Sequence, residues 1–177
     1  MKQKIYVKLF DGAEKLTIKE QGDWIDLKVN EDVKVGYPYA NMLKRNRKEG
    51  ENSTRKLEFS LHLIPLGVGM MLPAGMEAHV VPRSSTFKKW HILLANSYGI
   101  IDNSYCGEED EWKFPAIAFD NVDIPRGTAI AQFRIVPSQR ATFLQKLKWL
   151  FSSGVEIVYV PTLRSESRGG FGSTGDK

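Results

Sequence analysis

Hydrophobic and polar residues alternate along this chain in short runs with a period of two. The runs are "IYVKLF", "WIDLKV", "LEFSLHLIPLGVG", "EAHVVPR", "WHILLA", "FPAIAF", "TAIAQFRIV" and "VEIVYV"; in the third, Leu57, Phe59, Leu61 and Leu63 take every second place. Successive side chains on a strand point to opposite faces, so such a run buries one face and wets the other. Turn formers separate the runs at Pro73-Ala74-Gly75, Asp120-Asn121 and Pro125-Arg126-Gly127. Many short strands divided by turns predict an all-β fold, an antiparallel sandwich or jelly roll. Only "SQRATFLQKLKWLFSSG" has a helical period, which predicts one short helix over about residues 139–151. Ser138 is its candidate cap and Gly154 its stop, and Phe143, Leu144, Leu147, Leu150 and Phe151 form a stripe suited to core or to a subunit contact. There is no internal repeat.

With 177 residues the chain can bury a core as one domain without disulfide staples. The longest apolar runs, such as "WHILLA" and "GVGMMLPAGM", fall far short of a membrane helix, and "MKQKIYVKLF" lacks a secretory pattern. A cytoplasmic location without membrane attachment is expected. Cys106 is the single cysteine, which rules out an intramolecular disulfide or a thiolate metal cage. The net charge of +4 is all carried by "KRNRKEGENSTRK", Lys44 to Lys56. Concentrated in one polar stretch, it reads as a solvated inserted loop at about 40–56, against the rival reading of an arm that tracks phosphates, and it argues against a nucleic-acid-binding face.

Three stretches can carry chemistry. In "ANSYGIIDNSYCGE", Gly99 and Gly107 bracket a turn at Asp102-Asn103-Ser104 between two extended arms, whose backbone N–H and C=O groups could read the edge of a planar base. Asp102 is either a turn former or a base that orients water, and Tyr105 either a core aromatic or a ring beneath a sugar. In "PRSST", Arg83 with Ser84 and Ser85 suits a phosphate or a carboxylate. Gln132 interrupts an apolar strand, so its amide bonds within the core or points into a site. A Cys-His hydrolase built on Cys106 with His62, His79 or His91 finds no activating neighbour in the sequence. The ending "RGGFGSTGDK" is too rich in glycine for helix or strand; it is a frayed end or a flexible segment that orders on a ligand.

Taken in order, "DL" (Asp26-Leu27), "PRSS", "GIIDNSYCG", "RGTAIAQ" and "RGGFGSTG" resemble the five motifs of the trimeric dUTP pyrophosphatases, from about residue 22 to 175. The resemblance implies a jelly-roll β-barrel over residues 1–167, a flexible C-terminal lid over 168–177, and a homotrimer with active sites shared between subunits. It implies hydrolysis of dUTP to dUMP and pyrophosphate with Mg²⁺ on the triphosphate. Asp102 would hold the attacking water, while Asn96 and the backbone around Gly99 and Ile101 would read uracil. Tyr105 would lie on the deoxyribose. Ser84 and Gln132 would contact the phosphates, Arg83 would orient the site, Ser85 would belong with them to the substrate-binding set, and Asp26 would touch the metal through water. In the tail, Phe171 would stack on uracil, and Arg168, Gly172, Ser173 and Thr174 would serve the γ-phosphate.

The chain departs from the family at Trp24, where glycine is usual and which leaves Asp23 as a rival to Asp26, and at Ser104, where a second acidic residue is usual. The basic loop and the helix look like insertions of the kind found in phage-borne members, whose address is the host cytoplasm. Two rivals share some features. A dCTP deaminase, alone or bifunctional, has an arginine-serine-serine motif but needs a glutamate that "AIAFDNVDIPRGTAIAQ" does not supply. A nucleotide-switched regulatory binding protein would use the basic loop and the single "RGG".

Overall fold

The computed structural model describes residues 2–19, 22–36 and 61–163. The basic stretch 40–56 and the ending 168–177 lie outside the described residues. In chain order the elements are β1 (Gln3–Leu9), β2 (Ile25–Lys28), β3 (Val33–Val35), β4 (Leu61–Pro65), β5 (Val68–Met71), β6 (Met76–Pro82), α1 (Thr86–Trp90), β7 (Ile92–Leu94), β8 (Gly99–Asp102), β9 (Lys113–Ala118), β10 (Val122–Ile124), β11 (Ala129–Pro137), α2 (Phe143–Leu150) and β12 (Val155–Tyr159). The expected mostly-β architecture holds, and each alternating run with described residues supplies at least one strand. Among the described residues no helix is long and apolar enough to cross a membrane.

The strands form four sheets, ordered β12-β1-β5, β10-β3, β2-β11-β6-β8 and β4-β9-β7. Among the described residues all ladders are antiparallel except β1 with β12, which run parallel with Gln3 opposite Val155. A parallel pair needs a long connection, and here most of the chain provides it. In the four-stranded sheet, Ile25, Leu27, Ala78, Val80, Ala131, Phe133 and Ile135 turn inward and are buried. Phe133 meets Trp112 edge-on at 5.3 Å in the centre of the core, a geometry that suits the ring quadrupoles. The period of two then fixes the outer face. Asp26, Gln132, Arg134, Glu77, His79, Ile100 and Asp102 all stand on it, set in register by three antiparallel ladders.

Four sequence expectations need correction. A second helix, α1, follows "PRSST"; its five residues are too few to show a period. The helix α2 starts at Phe143, capped by Thr142 in a reciprocal box with Gln145, while the backbone N–H of Ser138 is bonded to Gly75 O at 2.8 Å. Its stripe is not core. Phe143, Leu144, Leu150 and Phe151 are each about three-quarters exposed, and Trp149 is the helix residue that packs against the core. Finally, "GIIDNSYCG" is not a two-armed hairpin, because β8 pairs with β6 and the outgoing arm is turn and irregular chain. Gly99 packs closely inside that ladder: a Cβ there would lie 3.2 Å from Val80 Cβ, so Val80 would have to shift by a few tenths of an ångström to admit one.

Candidate active site

One cluster gathers where β2, β11 and the end of β6 lie side by side. Gln132 stands opposite Asp26 on β2 and opposite Val81 on β6. Arg83, just past β6, sends Nε to Asp26 Oδ1 at 3.0 Å, and Lys19 Nζ meets Asp26 Oδ2 at 2.5 Å. Three stretches distant in sequence thus meet on the outer face. The "PRSST" segment is fastened from below, since the Arg83 N–H and the Thr86 hydroxyl both donate to Ile130 O, at 3.1 and 2.6 Å. Thr86 is 1% exposed, so its hydroxyl needs this acceptor. Ser84 is exposed and Ser85 half-buried at the head of α1, where the Ser85 side chain caps nothing. The Gln132 amide makes no hydrogen bond among the described residues, which removes the core reading and leaves it facing outward.

The second cluster sits at the other end of β6. Asp102 closes the edge strand β8 opposite Glu77. Its Oδ1 accepts the Ser104 backbone N–H at 2.8 Å and also the Ser104 hydroxyl. This is an Asx-type turn, closed by Tyr105 N–H on Asp102 O at 3.2 Å. Asp102 is therefore a turn former whose exposed carboxylate is also held in one orientation. The half-buried Tyr105 donates its hydroxyl to Glu111 O at 3.1 Å. Burial first, then the charges of Asp110 and Glu111, push its pKa up, so the ring stays neutral. Asn96 is exposed on the connection into β8, where Ser97 takes the left-handed φ of 61°. Ile101 is half-buried against the core, which leaves its strand backbone as its contribution to any site.

The structure therefore brings Asp26, Arg83, Ser84, Ser85 and Gln132 together, and separately Asn96, Gly99, Ile101, Asp102 and Tyr105. Six residues separate Glu77 from Arg83 along β6, about 20 Å at the usual rise per strand residue. Asp102 cannot reach an atom held by Arg83 of the same chain.

The other candidates are occupied elsewhere. His62 Nε2 meets Gly36 O, His79 meets Glu77 and Tyr98, and His91 meets Asp120, while Cys106 is buried and in no disulfide. Among the described residues no three His, Cys, Asp or Glu side chains converge as a metal cage. Asp26 is taken on both oxygens by cations, so this donor set does not fit a metal bound by the protein alone. It fits one that arrives already chelated by its substrate and keeps its water. Sequence reasoning missed Lys19, Thr86 and the Glu77–His79–Tyr98 set, whose contacts depend on how the fold brings separate segments together.

A family model described as dUTPase matches residues 51–148, a span that holds Arg83, Asp102 and Gln132. The chain is 40% identical over 174 residues to the SPbeta prophage-derived deoxyuridine 5'-triphosphate nucleotidohydrolase of Bacillus subtilis, covering 98% of this chain and 99% of that one. It is 39% identical over 118 residues to the deoxyuridine 5'-triphosphate nucleotidohydrolase of Rickettsia prowazekii, covering 66% and 70% of the two chains. Among solved structures, the fold is similar to the Streptococcus mutans dUTPase, with TM-score 0.58, 18% identity, and 77% and 98% of the two chains covered. It is similar also to a Staphylococcus aureus phage phi11 dUTPase described with a structural Mg(II) ion, with TM-score 0.55, 15% identity, and 78% and 94% covered.

Proposed function

This chain belongs to the dUTPase family, and on that premise we propose that it hydrolyses dUTP to dUMP and pyrophosphate, keeping uracil out of DNA and supplying dUMP. One observation carries the reading: Asp26, Arg83 and Gln132, far apart in sequence, meet on neighbouring strands and leave a guanidinium, an amide and the Ser84 and Ser85 hydroxyls facing outward. That is a donor set for phosphate oxygens.

In this reading Arg83, Ser84, Ser85 and Gln132 bind the phosphates, and Asp26 holds Arg83 in place. Mg²⁺ enters on the triphosphate as part of the substrate and supplies charge neutralisation. Asp26 is the residue assigned to touch it through water, once Lys19 yields an oxygen. Asn96 and the backbone of Gly99 and Ile101 read uracil, and Tyr105 supports the deoxyribose. Asp102 orients the water that attacks the α-phosphorus. Phosphoryl-type transfer needs positioning and charge stabilisation more than covalent help, so these groups suffice.

The separation of the two clusters argues for a site made by two copies, with Asp102 of one facing Arg83 of the next. A ring of such head-to-tail contacts would close as the homotrimer that the resemblance to the family implies. The tail residues Arg168, Phe171, Gly172, Ser173 and Thr174, outside the described residues, form a lid over residues 168–177 that closes on this site from the domain 1–167. Pyrophosphate release with Mg²⁺ should be fast for dUTP and far slower for dTTP, UTP and dCTP. Conversion of dCTP to dUTP or dUMP at a comparable rate would overturn the assignment.

A further inference from the structure

Across the ladder from Asp102, on the same outer face, stands a second carboxylate, Glu77. Cβ atoms of directly opposed residues lie about 5 Å apart. Two carboxylates so placed would repel, and each would favour protonation of the other. The Glu77 side chain instead turns along its own strand, where Oε1 meets His79 Nε2 at 3.0 Å. His79 Nδ1 in turn meets the Tyr98 hydroxyl at 2.7 Å, with the two rings edge-on at 5.2 Å. A neutral tyrosine donates, so Nδ1 accepts, and the network assigns the imidazole proton to Nε2, where it donates to Glu77.

We propose that Glu77, His79 and Tyr98 act as a positioning set for Asp102, drawing the Glu77 carboxylate sideways onto the imidazole and away from the carboxylate opposite. The inference rests on the reading of Asp102 as the group that orients water. Tyr98 immediately precedes β8 and Asp102 ends it, so the set spans the length of the strand that carries Asp102. Arg134 on β11 faces His79 from the far side and stacks on Trp24 at 4.9 Å. On the turn itself, Ser104 donates to Asp102, Tyr105 bonds to Glu111 O, and Glu108 is held by Lys8 at 2.6 Å.

The test is the pH profile of kcat/KM for dUTP in His79→Ala, Glu77→Gln, the double variant, Tyr98→Phe and Asp102→Asn. Releasing Glu77 in His79→Ala should move the acid limb upward by about half to one pH unit, with less than about a threefold change at pH 7.5. Adding Glu77→Gln should return the limb to its parental position, and Tyr98→Phe should shift it upward by a smaller amount. An acid limb unmoved in His79→Ala, or not restored in the double variant, overturns the inference. If His79→Ala fails to fold by circular dichroism, Tyr98→Phe and Glu77→Gln decide, and an upward shift in Glu77→Gln overturns it. Full activity in Asp102→Asn would instead overturn the role given to Asp102, which keeps the two failures distinct.

Discussion

The two ends of β6 are organised in opposite ways. At the Arg83 end the functional groups come from three strands, and ion pairs and hydrogen bonds across the sheet hold them. Asp26 fixes the guanidinium, while Ile130 O fixes the backbone N–H of Arg83 and the hydroxyl of Thr86. At the Asp102 end the key carboxylate sits in an exposed turn and is held by its near neighbour Ser104. One end is built by register and the other by local turn chemistry. A binding surface for a highly charged group gains from long-range rigidity, whereas a residue proposed to meet another chain is suited to the edge of the sheet.

Substitutions at each end should separate these roles. The largest effect is expected for Asp102→Asn, which keeps the turn acceptor but removes the charge. Its kcat should fall by about 10² to 10⁴-fold with KM for dUTP little changed, since a positioned base contributes in that range. A fall confined to KM would show that Asp102 only binds. Arg83→Ala should cost about 10²-fold in kcat/KM through loss of a charge-assisted phosphate contact, and lysine should recover part of it. An unchanged value would remove Arg83 from the phosphate site.

Thr86→Val probes the support beneath Arg83. It deletes a buried hydroxyl whose acceptor, Ile130 O, keeps only the Arg83 N–H, and should destabilise the fold by about 1 to 2 kcal/mol. Thermal unfolding would drop by roughly 2–8 °C for a chain of this size. The accompanying loss in kcat/KM should be smaller than for Arg83→Ala. A variant as stable as the parent would mean that the sheet alone holds this segment.

The smallest effect lies behind the Asp102 turn. The Lys8 ammonium hydrogen-bonded to Glu108, and next the Leu163 N–H, hold the Glu108 carboxyl below its ordinary value of 4.5. A depressed folded-state pKa contributes stability that is present above the unfolded value and is lost as pH falls through the folded one. The difference in melting temperature between the parent and Glu108→Gln should therefore be constant above about pH 4.5 and shrink below it. A difference independent of pH down to 3 would show that the ion pair adds nothing.

Much of this was legible in the sequence, and what was not has two main causes, the shortness of some elements and the pairing of distant segments. The strands could be read because a half-buried strand must alternate, and the Asp102 turn because Asp, Asn and Ser favour turns through their own short side chains. The strands β3 and β10 and the helix α1 were missed because an element of three to five residues stands out only within a longer apolar or alternating run, and none surrounds these three. The correct cap of α2 was available in the sequence, since Thr142 with Gln145 satisfies the capping-box spacing and Ser138 does not. The roles of Lys19, Thr86 and Glu77–His79–Tyr98 were out of reach. Each depends on which segments the fold brings side by side and where their side chains turn, and local pattern does not encode that.

The central claim is that the Asp102 end of one chain completes the Arg83 end of another. Asp102→Asn and Arg83→Ala chains, each nearly inactive alone, can be co-assembled in equal amounts and assayed for dUTP hydrolysis. In a head-to-tail ring, random mixing gives about a quarter of the sites an intact Asp102 and an intact Arg83 from different chains, so about a quarter of parental activity should return. A mixture that forms mixed oligomers yet stays as inactive as its components would contradict the claim, because it would mean that each site draws both residues from the same chain.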